Sequence, residues 1–409
     1  MSALAPFRVR SFRFQWPADL ATSWAFEMEA LILGWYVLSS TGSVKLLGVV
    51  AALAWLGSLF SPFFGIAGDR LGVRTLLCLT RSTYALLALV LAMLALSHRI
   101  EPWQALVIAG LAGLMKPSDM AMRNVLVGQT MRPESLMGAL AISRTTSDTA
   151  RLAGAFAGTG GVALIGMGHA YLGVAAIYAA AFAFSLGVAA PTPRGPQAHV
   201  EDVLPGLRAG VRYVWERPDL LGAFCIAFLV NMLAYPFFLG LLPYAAKDVF
   251  GIGQSGLGYL AGAFAGGALA GSLLVSSNRM PLPAARAMLL SSALWFGGIL
   301  VFGQLRSVGA AIAVLLFVGF VQSLCMTPLA AVMLRASSEE MRGRVMGIRM
   351  LAIWGLPLGL LAAGPIISEI GYRATTVLYG VLGLLATIAI GYRWHRALWH
   401  RAAAANAAA

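Results

Sequence analysis

Charge is scarce in this chain, and lysine is scarcer still. Asp, Glu, Lys and Arg together make up 11% of the 409 residues, where a soluble domain carries roughly 25%. Three lysines occur (Lys45, Lys116, Lys247) and none lies in a phosphate-binding loop, so the chain does not itself hydrolyse ATP. Cys78, Cys225 and Cys325 are scattered through apolar stretches, which excludes a disulfide framework. His98, His169, His199, His395 and His400 show no ligand spacing, so neither a metal nor a cofactor is expected. Gly251, Gly253 and Gly256 spell G-x-G-x-x-G without a preceding strand, a chance match. No removable leader is expected, because the first apolar segment is too long for one.

What the chain does have is apolar length. It is 59% hydrophobic, with a mean hydropathy of +0.81. A membrane span needs about 20 consecutive apolar residues, since lipid cannot satisfy exposed backbone groups. Twelve runs meet that need: 17–40, 45–67, 75–97, 103–128, 136–165, 169–190, 219–243, 255–277, 285–304, 308–334, 345–369 and 374–392. The chain reads as an all-α, multi-pass protein whose first partner is the lipid bilayer.

Basic residues accumulate on cytoplasmic flanks. With the N-terminus inside, those flanks hold Arg8, Arg10 and Arg13, then Arg70, Arg74 and Arg81, then Arg123 and Arg132. The pattern continues through Arg194 to Arg217, Arg279, Arg286, Arg335 to Arg349, and Arg393 to Arg401. Lys45, Arg99, Lys247, Arg306 and Arg373 alone fall on the other side. Both termini are therefore expected to be cytoplasmic, in a bacterial-type inner membrane. The net charge of +13 follows from this topology, and no soluble basic module exists to bind nucleic acid.

Residues 191–218 are rich in proline (Pro191, Pro193, Pro196, Pro205, Pro218) and contain an amphipathic stretch from Leu204 to Trp215. They read as a cytoplasmic linker between a first bundle, 1–190, and a second, 219–393, with a tail at 394–409. The halves echo each other at an offset of 205 residues. Glu134, Gly138, Arg144 and Gly154 fall on Glu339, Gly343, Arg349 and Gly359, as a duplicated six-helix unit would place them.

Residues 65–74 (GIAGDRLGVR) form a charged, Gly-rich turn where two apolar runs reverse. Reversal alone demands no fixed order of Gly, Asp, Arg, Gly, Arg. The stretch resembles the G-x-x-x-D-R-x-G-R-[RK] signature of major facilitator superfamily transporters. Trp35 to Ser43, Gly206 to Pro218, Leu241 to Gly262 and Arg342 to Gly347 extend the likeness, toward the branch of enterobactin-type siderophore exporters and macrolide efflux proteins. Two departures stand out. Ala155 follows Gly154 where the helix 5 antiporter motif has proline, and the second copy of the turn has decayed to Ser277-Asn278-Arg279. The resemblance implies twelve transmembrane helices in two pseudo-symmetric six-helix bundles, not an enzyme, working by alternating access. It also implies a cytoplasmic latch, with Asp69 as its acid, Arg70 and Arg74 as partners, and Gly65 and Gly72 shaping the turn.

Charges inside the membrane are costly and read as functional. Six lie near mid-depth: Glu27, Glu29, Lys116, Asp119, Asp148 and Arg151, all in the first half. The second half offers neutral groups such as Asn231 and Gln322. Arg144 sits too shallow, as does its mate Arg349. Glu27 and Glu29 are about 200° apart around a helix and cannot share a face. Glu29 lies on a stripe with Thr22 and Tyr36, which slightly favours it as the cavity carboxylate over Glu27, beside Trp24, Leu31 and Trp35. Lys116 with Asp119, and Asp148 with Arg151, are three apart and can pair within one helix. Gly154 and Gly158, with Gly262 and Gly266, form small-residue ridges expected to pack helix 5 on helix 8.

A desolvated carboxylate can carry a proton between sides. The expected function is a monomeric, proton-gradient-driven exporter of a small amphiphile such as a drug or siderophore. A lipid or lysolipid flippase with Lys116 or Arg151 as its head-group site, and an importer of a small organic solute, are the alternatives.

Overall fold

The computed structural model describes residues 5–60, 67–68, 71–131, 133–189, 200–277, 282–338 and 341–400, and every regular element among them is helical. The first half runs α1 (Arg10–Thr41), α2 (Val44–Leu53), α3 (Val73–Leu96) and α4 (Pro102–Thr130). One helical run, Pro133–Leu186, follows; it breaks at Gly166 into α5 (133–165) and α6 (167–186). A separate helix α7 (Val200–Glu216) covers the amphipathic stretch. The second half runs α8 (Pro218–Leu233, continued by short turns to 249), α9 (Gln254–Ser276), α10 (Ala284–Gln304) and α11 (Val308–Arg335). The segment from Arg342 breaks at Gly371 into α12 (342–370) and α13 (372–393). Leaving out α7, these are the twelve spanning segments of a two-bundle membrane fold.

Local chemistry sets the ends. Ser43 caps α2 by accepting from the Leu46 amide at 3.3 Å. Glu101 and Gln104 cap α4 reciprocally, with Pro102 in its first turn. By length and hydropathy alone, seven runs among the described residues qualify as spans, with the broken runs counted as one each. α1 falls short because Glu27 and Glu29 interrupt its apolar stretch.

Contacts divide the chain into two units, one of residues 1–200 with 252–262, the other of 201–251 with 263–409. Each repeats the other's construction. Gly166 (φ 80°, ψ 164°) and Gly371 (φ 81°, ψ 164°) lie 205 residues apart with the same backbone conformation. That region of φ/ψ is essentially restricted to glycine. In the first unit a Cβ on Gly154 would stand 2.7 Å from the Glu27 Cβ; in the second, one on Gly359 would stand 1.9 Å from the Met232 carbonyl oxygen. Met232 is Glu27 shifted by 205, so α5 meets α1 as α12 meets α8.

These approaches correct the expected glycine packing. Gly154 and Gly158 lie against Trp24, Glu27 and Met28 of α1, not against the eighth spanning helix. The start of α9 does reach α5, through another face: Gly258 meets Thr159 and Gly262 meets Phe156. Gly266, one turn on, is half-buried. The face of residues 154 and 158 is turned from that of 155, 156 and 159 by roughly 125° around the helix, enough to address different neighbours. In the second unit α7 lies on α12, with Gly210 against Arg344 and Ile348, and the Tyr213 hydroxyl accepting from the Ser338 amide at 3.2 Å.

Candidate functional site

α1 carries buried polar residues at helical spacing, Gln15, Asp19, Ser23 and Glu29, with Phe26 between the last two. This stripe faces the interior of the first unit, where it meets α3, α4 and α6. At one level it joins four charges. Arg81 of α3 bonds the Asp19 carboxylate, and its Nε lies 3.8 Å from Asp119. Arg123 of α4 holds Asp119 at 2.7 Å and lies 3.8 Å from Asp19. Arg81 also donates to the Ser185 hydroxyl of α6, and Arg123 to the Ser23 hydroxyl at 2.6 Å. Gln15 donates to the Arg123 carbonyl at 3.0 Å. Two cations and two anions cancel, and Arg81 and Asp119 are each only 1% exposed. Removing one member of such a set leaves a buried charge uncompensated, at a cost of about 3–5 kcal/mol.

This quartet overturns one expected pairing and shows two of the flank arginines buried. Asp119 does not pair with Lys116; it lies between the forked guanidinium groups of Arg81 and Arg123, whose geometry suits a carboxylate better than one ammonium does. Arg81 and Arg123, read as flank charges, lie inside the bundle. Asp19 was not singled out; it lies two residues inside the start of the run 17–40, whereas the helix begins at Arg10. The legible signal was the Gln15-Asp19-Ser23 spacing within an apolar run.

A second level lies farther along α1. Glu29 is buried and accepts from the Tyr178 hydroxyl of α6 at 3.0 Å. Phe26, Tyr84 and Tyr178 pack against one another there, with ring centroids 5.1–5.8 Å apart. Glu29 is therefore a bundle-interior acid, contrary to the preference drawn from its stripe; that stripe is polar because it joins an internal network. Glu27 occupies the open side. Its carboxylate lies 3.4 Å from Arg151 Nε of α5, with side-chain exposures of 30% and 27%. Asp148, one turn before Arg151, is buried. Lys116 sits over the rings of Phe26 and Trp55, at 4.9 and 5.4 Å.

Of the turn motif, Gly65, Asp69 and Arg70 lie outside the described residues. Gly72 begins α3, and Arg74 donates to the Ser185 and Leu186 carbonyls at the end of α6. A cation at a helix C-terminus is favourable there. Among the described residues, the buried polar side chains of the second unit are neutral: Gln322 donates to the Tyr235 hydroxyl at 2.7 Å, and Asn231 to the Ala227 carbonyl at 2.8 Å. No metal-holding group of side chains occurs among the described residues.

Comparison with known proteins agrees with this architecture. The chain is similar to the multidrug efflux pump Tap of Mycolicibacterium fortuitum, with 28% identity over 364 residues covering 83% of this chain and 85% of that protein. The Tap pump of Mycobacterium tuberculosis (strain ATCC 25618 / H37Rv) is 27% identical over 360 residues, 83% of each chain. Among solved structures, a bacterial homologue of the human lysosomal transporter Spinster superposes with a TM-score of 0.74 at 13% identity, covering 94% of this chain and 97% of that one. The nucleoside transporter NupG superposes at 0.72 and 12% identity, covering 92% and 98%. The sequence profile of the Major Facilitator Superfamily matches residues 18–357. The chain belongs to the Major Facilitator Superfamily, as a multi-pass membrane transporter rather than an enzyme.

Proposed function

We propose that this transporter exports a small amphiphilic molecule, of the drug or siderophore kind, in exchange for protons. The observation that carries the reading is the Glu27–Arg151 pair on the accessible side of the first unit. Protonating Glu27 removes the attraction that holds Arg151, so proton uptake and a local rearrangement are one event. Glu29 and Asp148 are inward reserves of the same chemistry, each buried on a neighbouring face. Export as the direction is supported by the relatives' role as multidrug efflux pumps.

Gating belongs to the turn at 65–74, with Asp69 latching one end of the transporter shut, Arg70 as its partner, and Gly65 allowing close approach. Arg74 contributes by tying α3 to the end of α6. The test is transport by purified protein in vesicles under an imposed pH gradient, with Glu27→Gln, Glu29→Gln and Asp148→Asn compared. Glu27→Gln is expected to uncouple substrate movement from the gradient most strongly. If all three variants still follow the gradient, proton coupling through these acids is wrong. Accumulation of dyes and siderophores in cells with and without the protein tests direction, and a gain in uptake would mark an importer.

A further inference from the structure

Lys116 is the charge that the pairing leaves over. Its ammonium lies between the Phe26 and Trp55 rings and makes no hydrogen bond or direct ion pair among the described residues. The carboxylates whose charge it feels, Glu27 and Glu29, are engaged elsewhere, on Arg151 and Tyr178. Asp119, one turn along α4, is held by Arg81 and Arg123. Ring faces compensate part of the cost of desolvating an ammonium. They leave its three N–H donors without an oxygen acceptor.

Position adds to this. Lys116, Trp55, Glu27 and Arg151 are all partly exposed, whereas the quartet and Glu29 are buried. Trp55 follows the end of α2 and presents an aromatic surface beside the ammonium. An incoming organic cation would meet a tethered charge of its own sign on the rings it needs, and like charges repel at such range. An incoming anion meets an unfilled donor set with apolar surface next to it.

We propose that Lys116 is the anion-recognising element of a ligand site on the first unit. It takes a carboxylate or phosphate oxygen of an amphiphile whose apolar or aromatic body lies against Trp55. This rests on the reading of the chain as a transporter of small amphiphiles, and it narrows that class to acidic ones. Either a soluble organic acid or a lysophospholipid head group has the required chemistry.

Equilibrium binding to purified full-length protein, without any gradient, tests the site separately from proton coupling. The probes are pyrenebutyrate, its neutral analogue pyrenebutanol, the tetraphenylphosphonium cation and lysophosphatidate. Pyrenebutyrate is expected to bind about tenfold more tightly than pyrenebutanol, the worth of one charge-assisted hydrogen bond. Lys116→Met should erase that difference, Lys116→Arg should keep most of it, and Trp55→Ala should weaken both pyrene probes together. If lysophosphatidate alone shows dependence on Lys116, the anion site stands with lipid as its source. If Lys116→Met leaves every acidic probe unaffected, or the wild type prefers tetraphenylphosphonium, the inference is overturned. Loss of coupling without loss of binding, or the reverse, tells the two proposals apart.

Discussion

The two six-helix halves share a backbone plan and differ in what fills it. Gly154 on Glu27 and Gly359 on Met232 are the same helix contact, and Gly166 and Gly371 are the same break. At the offset of 205, Asp19 becomes Phe224, Ser23 becomes Phe228, Glu27 becomes Met232, Glu29 becomes Ala234 and Arg151 becomes Leu356. Lys116 follows the close approach of Gly113 to α2 by three residues, and Gln322 follows that of Gly319 to α9 by three. Among the described residues of the second half, no fully buried side chain is charged. The buried charges of the first half are therefore not required by the shared backbone plan, and the proposed coupling and recognition both rest on them.

The largest expected effect comes from making the first half resemble the second incompletely. Asp119→Leu leaves Arg81 and Arg123 without one of their two acids and should cost about 3–5 kcal/mol in denaturant unfolding of the solubilised protein. Adding Arg123→Leu restores neutrality, so the double variant should recover much of that loss. Equal losses in single and double variants would break the comparison.

The converse change puts a charge into the second half. Met232→Glu should cost about 2.5–3.5 kcal/mol, the insertion penalty of an unpaired charge. Leu356→Arg, introduced with it, copies the Glu27–Arg151 pair and should offset part of the penalty. A double variant worse than the sum of the singles would mean that the repeat does not extend to side-chain placement.

A smaller and symmetric effect is expected at the breaks. Gly166→Ala and Gly371→Ala have open space for a Cβ but hold φ near 80°. Each should destabilise by about 1–3 kcal/mol through backbone strain alone, and by similar amounts. Unequal thermal shifts would show that the two breaks carry different loads.

The smallest effect concerns the linker helix, which leans on the second unit through Tyr213. Tyr213→Phe should loosen this docking by about 1 kcal/mol, measured as amide exchange around Ser338. The Ser338 amide, aided by Arg217, holds the Tyr213 hydroxyl below the ordinary tyrosine range. The docked state thus binds fewer protons than the undocked one just under that range, and docking should tighten as pH rises through it. The Phe variant should show no such dependence.

Much of the fold was legible in the chain because lipid imposes a blunt rule. Every span must be apolar and helical, so twelve runs and a repeat could be read directly. α1 shows the limit of the rule, since the carboxylates that lower its hydropathy are those that matter. The site was legible in its members more than in its pairings. Glu27, Lys116 and Arg151 stood out by depth, but Arg151 pairs across to α1 rather than only along its own helix. Glu29 looked like a cavity acid because a polar stripe reads the same whether it faces a cavity or an internal network. Arg81 and Arg123 were indistinguishable from flank arginines, because linear distance from a helix end does not say whether a side chain faces the bundle interior.

By itself the sequence determined the class and the twelve spans, and it pointed to duplicated halves with the mid-run charges in the first of them. These follow from composition and periodicity, which lipid reads without reference to neighbours. Only the tertiary structure decided which acid meets which base, which carboxylate is open, and which cation is left without an oxygen. Those outcomes depend on which helices adjoin, and a desolvated charge is satisfied by whatever stands within a few ångströms of it, however distant in the chain.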